Sequence, residues 1–260
     1  MAISLNSLIR SDTPRPPIIT EHGGPGIGKT TLAAEFPSPV FIQTEDGLDS
    51  VTVDAFPLAK SFSDVMEALG ALYTEDHQFK TVVIDSLDWL EPLVWAETCR
   101  RHQWASIEAP GYGKGYIEAQ SVWREYLDGV TALRDDKGMC IVQIAHSEIK
   151  RFENPETEPY DRFEIKLQKR SAALIAEYSD VILFMNRQVS TTQSDVGFNK
   201  KVARAISTGQ VLIYSQERPA FIAKNRHGMP DAIPFSKGQG YAALAPYFPA
   251  LPQPASTQAA

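Results

Sequence analysis

The sequence predicts an α/β fold: a central, mostly parallel sheet flanked by helices, with an antiparallel extension towards the C-terminus. Three observations carry this. β-Branched apolar runs recur at residues 40–44, 81–86, 139–145 and 180–185, and runs apolar at nearly every position suit strands buried on both faces. Between them lie segments with apolar residues three and four apart, the period of an amphipathic helix. A glycine-rich turn also joins a short strand at 18–20 to a helix at 31–36. Strand–helix alternation of this kind gives a parallel sheet with right-handed crossovers.

Taken in order, the strand at 40–44 ends on Glu45, Asp46 and a turn at Gly47. A helix follows over 62–72, where Phe62, Val65, Met66, Leu69 and Leu72 share a face. Thr81-Val82-Val83-Ile84-Asp85-Ser86 is an apolar strand closed by a carboxylate, followed by a helix over 89–102. Residues 104–116 carry Pro110, three glycines and three aromatics, which predicts a loop. A helix over 117–134 leads into the strand 139–145, which His146 caps. Residues 147–162 are polar and contain Pro155 and Pro159, so a long functional loop is expected. A helix over 166–178 and the strand 180–185 complete the alternation. Strands at 201–207 and 211–215, joined across Thr208-Gly209-Gln210, and another at 220–224 form the antiparallel extension. The end of the chain, 251–260, is rich in Pro, Ser, Ala and Gln and reads as disordered.

Length and composition fit one sizeable domain, since 260 residues that are 43% hydrophobic and 22% charged can bury an ample core. The expected organisation is an N-terminal segment 1–16, a core 17–246 and a tail 247–260. No apolar run reaches membrane-spanning length and residues 1–10 lack the apolar stretch of a signal peptide, so the expected location is the cytoplasm and no membrane partner is expected. Cys99 and Cys140 are too few for a disulfide framework and lack metal-ligand spacing. A net charge of −7 argues against a uniformly basic surface that coats nucleic acid.

Gly23-Gly24-Pro25-Gly26-Ile27-Gly28-Lys29-Thr30, followed by Thr31, is a complete Walker A phosphate loop. Its backbone N–H groups turn inward around phosphates, Lys29 reaches the β- and γ-phosphates, and Thr30 offers a hydroxyl to Mg²⁺. The helix N-terminus behind it adds a dipole favourable to anions. ATP with Mg²⁺ is therefore the expected cofactor pair. Asp85, at the carboxyl end of a parallel strand, is placed to hold the metal through water. Glu45 ends a neighbouring strand, where a carboxylate can polarise water for attack on the γ-phosphate. His146, directly after a buried strand, is a candidate for sensing that phosphate. Lys224 and Arg226 stand two apart on an extended segment and suit an arginine-finger role across a subunit boundary.

These motifs, in this order, resemble the RecA-like core ATPases, most closely the phage-type ATP-binding single-strand annealing recombinases. Phe41-Ile42-Gln43-Thr44-Glu45-Asp46-Gly47-Leu48-Asp49 resembles the segment that carries the family's catalytic glutamate, with Glu45 at that position. Val82-Val83-Ile84-Asp85-Ser86 is similar to the Walker B strand, and His146 falls where the family has a relay glutamine. Lys224 and Arg226 match the pair of lysines that reach a neighbouring subunit's ATP. The resemblance implies self-association with ATP at the subunit boundary. It also implies single-stranded DNA as a partner in recombination or strand annealing, with a single-strand-binding protein as an accessory.

By the same resemblance, 104–116 and 147–163 take the places of two DNA-binding loops. Trp104, Tyr112 and Tyr116 with Lys114 combine stacking faces and charge, whereas the acidic residues of the second loop leave Lys166, Lys169 and Arg170 as its better phosphate contacts. Two other readings fit a phosphate loop: an ATP-gated adaptor that hydrolyses little, and a small-molecule kinase. The absence of an arginine-rich segment after the Asp85 strand counts against the kinase.

Overall fold

The computed structural model describes Leu8 and residues 14–48, 51–195 and 201–249. The predicted disordered end, 251–260, and most of the N-terminal segment lie outside the described residues.

Among the described residues ten strands form the sheet along the path β10 (Ala232–Phe235), β8 (Lys201–Tyr214), β7 (Val181–Asp195), β1 (Ile18–Gly23), β5 (Cys140–Phe152), β4 (Thr81–Asp85), β2 (Pro39–Gln43), β3 (Asp54–Ala55), with β6 (Tyr160–Ile165) pairing β5 and β9 (Lys224–Asn225) pairing β7. Its parallel centre is β1, β2, β3, β4, β5 and β7. Residues Ile18, Val40, Ile42, Val82, Ile84 and Ile141 project to one face. Ile19, Phe41, Val83, Val142 and Leu183 project to the other. This alternation explains why the strands are apolar throughout: each face has its own core.

Four helices cover the first face: α2 (Phe62–Thr74), α3 (Leu87–His102), α4 (Lys114–Lys137) and α5 (Lys169–Tyr178). The second face is covered by α1 (Lys29–Ala34) and α6 (Gly240–Leu244), with Tyr247 and Phe248 packed against the same core. Ser61 and Asp64 form a capping box that starts α2. A buried polar chain runs along the first face of the sheet from α4 to the end of α5. Tyr126 donates to Gln143 Oε1 at 2.7 Å, Gln143 donates to Thr20 Oγ1 at 3.1 Å, and Thr20 meets Ser179 Oγ at 2.8 Å. Among the described residues no helix is long and apolar enough to cross a membrane.

Three expectations are corrected. Residues 147–162 are no loop: β5 continues to Phe152, turns, and returns as β6 (Tyr160–Ile165), an antiparallel hairpin with Pro155 and Pro159 in its turn. Its strands alternate in exposure and so lack the continuous apolar run of the central strands. The predicted turn at 208–210 is absent, because β8 (Lys201–Tyr214) runs through it. Gly209, at φ 79°, lies instead at a break in register between Arg187 and Val189 of β7. Of the predicted strand 220–224 only Lys224 is regular, as the first residue of β9 (Lys224–Asn225). The last antiparallel strand is β10 (Ala232–Phe235).

Candidate nucleotide-binding site

At the carboxyl ends of β1, β2 and β4, beside the point where β5 parts from β1, a cleft of about 310 Å³ is lined by Gly26, Gly28, Lys29, Thr30, Thr31, Glu45, Gly47, Asp85, Ile144 and His146. Sheet order puts these residues together. Gly23 of β1 lies opposite His146 of β5, and Gln43 of β2 opposite Asp85 of β4, so three strand ends and the middle of β5 open on one edge.

The loop 23–28 closes on itself. Lys29 Nζ donates to the carbonyls of Gly23 at 3.2 Å and Gly24 at 3.0 Å, which lays the side chain back across the loop's concave side. Burial pulls the Lys29 ammonium below the usual lysine range, opposed chiefly by Asp85. Gly28 precedes α1 at φ 109°, and a Cβ there would stand 2.7 Å from the Phe235 ring. Both the conformation and the close approach require glycine.

Thr30 Oγ1 donates to Asp85 Oδ2 at 2.9 Å. Burial raises the Asp85 carboxyl above its ordinary range, while the Thr30 hydrogen bond and Lys29 oppose that rise. One hydroxyl and one carboxylate side by side are the hard oxygen donors that Mg²⁺ uses when phosphates complete its shell. Among the described residues no cluster of three or more His, Cys, Asp or Glu could hold a metal without such help.

Glu45 is set beside Asp85 by the backbone. Thr44 N donates to Asp85 O at 2.8 Å, Thr44 Oγ1 donates to Ser86 O at 2.6 Å, and Ser86 N returns a bond to Thr44 Oγ1 at 2.8 Å. The Glu45 carboxyl is raised by burial and then by the nearby Asp85 charge. A half-buried carboxylate of raised basicity facing the phosphate loop is suited to accept a proton from water.

His146 lines the same cleft but does not cap its strand as expected. It is the last residue of β5 paired with β1, and Ser147 is the first paired with β6. Its Nδ1 meets Asp88 Oδ2 at 2.9 Å and its backbone N donates to Asp88 Oδ1 at 3.0 Å.

The remaining predicted residues lie away from the cleft. Lys224 and Asn225 pair with Ile182 and Val181 at the start of β7, the end of the sheet opposite the phosphate loop. Lys224 Nζ donates to the carbonyls of Ala176 at 2.7 Å and Glu177 at 3.2 Å, and Arg226 stands 3.5 Å from Asp180. The pair therefore cannot reach its own chain's phosphate loop. Lys114 and Tyr116 belong to the first turn of α4 and not to a loop, with Tyr116 bonded to Glu108 and edge-on to Trp95. Trp104 stacks on His102 at 4.4 Å, and Tyr112 is fully exposed. Lys166 precedes α5 and lies 3.8 Å from Asp88, while Lys169 and Arg170 start that helix, exposed.

Two buried residues beside the site escape a reading of motifs. Glu21 on β1 is fully buried with both carboxylate oxygens unpartnered, and burial raises its carboxyl well above the ordinary range. His22 next to it bonds Ser147 Oγ through Nδ1 at 2.9 Å and the Ile222 carbonyl through Nε2 at 2.8 Å. Burial lowers it to about 4, so the neutral ring donates from Nε2 and accepts at Nδ1. Both stand between the apolar pair Ile18-Ile19 and the phosphate loop, the one sequence signal that marks them.

A family model described as an AAA domain matches residues 15–227. No curated protein matches the sequence. Among solved structures, 167 chains match. One, described as the crystal structure of the RadB recombinase, is 16% identical with a TM-score of 0.42, covering 80% of this chain and 86% of its own.

Proposed function

The chain belongs to the AAA domain family, and from that premise we propose that it binds ATP with Mg²⁺ and hydrolyses it. The observation that carries the proposal is the convergence of Lys29, Thr30, Glu45, Asp85 and His146 on one cleft at the carboxyl ends of β1, β2 and β4, beside β5. Each part answers a need of phosphoryl transfer to water. The loop 23–28 supplies backbone N–H groups, and Lys29 exchanges its two carbonyl bonds for phosphate oxygens. Thr30 and Asp85 would hold Mg²⁺, which neutralises charge on the phosphates when bound. Glu45 accepts the proton of the attacking water, and His146 reports occupancy of the γ-phosphate position to the hairpin.

Transition-state charge needs a cation beyond Lys29. Lys224 and Arg226 lie at the far end of the sheet, so their contribution requires a second copy of the chain whose phosphate loop docks there. Self-association with ATP at the boundary is the proposal that this role for the pair entails. Single-stranded DNA is the proposed partner in recombination or annealing, through exposed Tyr112, Lys114, Lys169 and Arg170 and through Trp104, which stacks on His102. An accessory single-strand-binding protein and a cytoplasmic setting follow from the same reading. ATP hydrolysis measured with Mg²⁺, with and without a single-stranded oligonucleotide, tests it. Turnover stimulated by the oligonucleotide is expected. Turnover without stimulation or retention of DNA at low salt removes the DNA part, and no turnover removes the enzyme.

A further inference from the structure

We infer that Asp88 is a positioning residue for His146, fixing its ring tautomer and its place at the junction between the nucleotide cleft and the β5–β6 hairpin. The inference rests on the proposed function for its kinetic consequences, but its structural content stands on this chain alone.

Asp88 is the second residue of α3, three places after Asp85 at the end of β4, and its side chain is almost fully buried, with 4% exposed. It receives three contacts from one residue. The His146 backbone N donates to Oδ1 at 3.0 Å, and the ring Nδ1 lies 3.2 Å from Oδ1 and 2.9 Å from Oδ2. Burial raises the Asp88 carboxyl, but the hydrogen bonds from His146 outweigh it and hold the group below its ordinary range. An ionised carboxylate only accepts, so Nδ1 must carry the ring proton. Nε2 is then the nitrogen left for the cleft, which His146 lines and Asp88 does not.

The backbone makes this a junction. His146 is the final partner of Gly23 at the mouth of the phosphate loop, and its carbonyl accepts from Lys166 N at 2.9 Å at the foot of the returning hairpin strand. Lys166 Nζ lies 3.8 Å from the second oxygen of Asp88. Asp88 thus holds the residue that faces the phosphates and also meets the charge at the hairpin's base. Loss of its carboxylate releases the ring to rotate and leaves the buried His146 N–H without its acceptor.

The test has two arms. Nitrogen-resolved NMR of the histidine rings in the full chain is expected to show His146 protonated on Nδ1 in the wild type and redistributed towards Nε2 in Asp88→Ala. A wild-type ring with a bare Nδ1 overturns the inference whether or not the protein hydrolyses ATP. The second arm is a double-mutant cycle on ATP turnover with Asp88→Ala and His146→Gln. Each is expected to lower kcat about 10- to 100-fold with nucleotide affinity kept, and the double variant is expected to be no slower than His146→Gln. Losses that multiply overturn the inference, as does an Asp88→Ala defect confined to affinity. Asp88→Asn keeps the acceptor oxygen and the fold, and is expected to retain more turnover than Asp88→Ala; equal loss in both contradicts positioning by hydrogen bond. A wild type without turnover counts against the proposed ATPase and leaves the NMR arm decisive.

Discussion

Thr30 and Asp85, 55 residues apart in sequence, share a 2.9 Å hydrogen bond between the first turn of α1 and the end of β4. That bond brings together, across the intervening strand β5, the two oxygen donors of the proposed magnesium site. Under the proposed function the roles divide: Lys29 and the loop would handle phosphate charge, whereas Thr30 and Asp85 would handle the metal. Replacing Thr30 by Ala should therefore weaken Mg·ATP about 10- to 100-fold, the worth of a hydrogen bond to a charged group, while metal-free ATP binds as in the wild type. Calorimetric titration with and without Mg²⁺ reads the difference.

Glu45→Gln keeps the shape and the backbone bonds that place the side chain but removes its basicity. Turnover should fall about 100-fold or more with ATP affinity unchanged. Burial and Asp85 raise the Glu45 carboxyl, so a base there must lose its proton at a higher pH than an ordinary glutamate. The acid limb of the wild-type pH–rate profile should accordingly lie above the usual carboxylate range, and the residual activity of Glu45→Gln should lack it. Steady-state kinetics across pH checks both.

Glu21 gives a stability prediction with a definite sign. Its native carboxyl is raised well above the ordinary 4.5 by burial, so the folded chain holds a proton that the unfolded chain releases. Its contribution is whole below about pH 4.5 and is lost as pH rises through the native value. Glu21→Gln should match the wild type near pH 4 and become progressively more stable than it towards pH 8. Urea denaturation at several pH values measures this, and a difference independent of pH would refute it.

Gly240 tests the packing of the C-terminal segment on the phosphate-loop helix. A Cβ there would stand 2.6 Å from Leu32 and 2.7 Å from Phe235, in a site that Glu35 fastens through Gly238 N at 2.6 Å and Tyr241 N at 3.1 Å. Gly240→Ala should cost about 1–3 kcal/mol, the usual penalty of an overfilled core, read as a lower midpoint of denaturation.

The sequence made the nucleotide cleft legible because its parts are local. A strand, a glycine turn and a helix stand within 20 residues at the phosphate loop, and Glu45 and Asp85 each close an apolar run. The hairpin 147–165 was hidden because its strands stand out from the double-faced core and mix Glu, Lys and Arg with isolated apolar residues. Gly209 read as a turn because glycine at positive φ serves turns and bulges alike. Asp88 left only a weak trace, a second acidic residue three places after Asp85, and its partner lies 58 residues away. Lys224 and Arg226 were legible as a pair of cations, but only the strand pairing shows which end of the sheet they occupy.

The central claim is that the cleft around Lys29 holds a magnesium-bound triphosphate. Titration of ATP into the full chain with Mg²⁺, beside the same titration of Lys29→Ala, addresses it most directly. Saturable binding at one site per chain, lost in Lys29→Ala, is expected. Binding that survives intact in Lys29→Ala, or a wild type that binds no ATP at all, would contradict it.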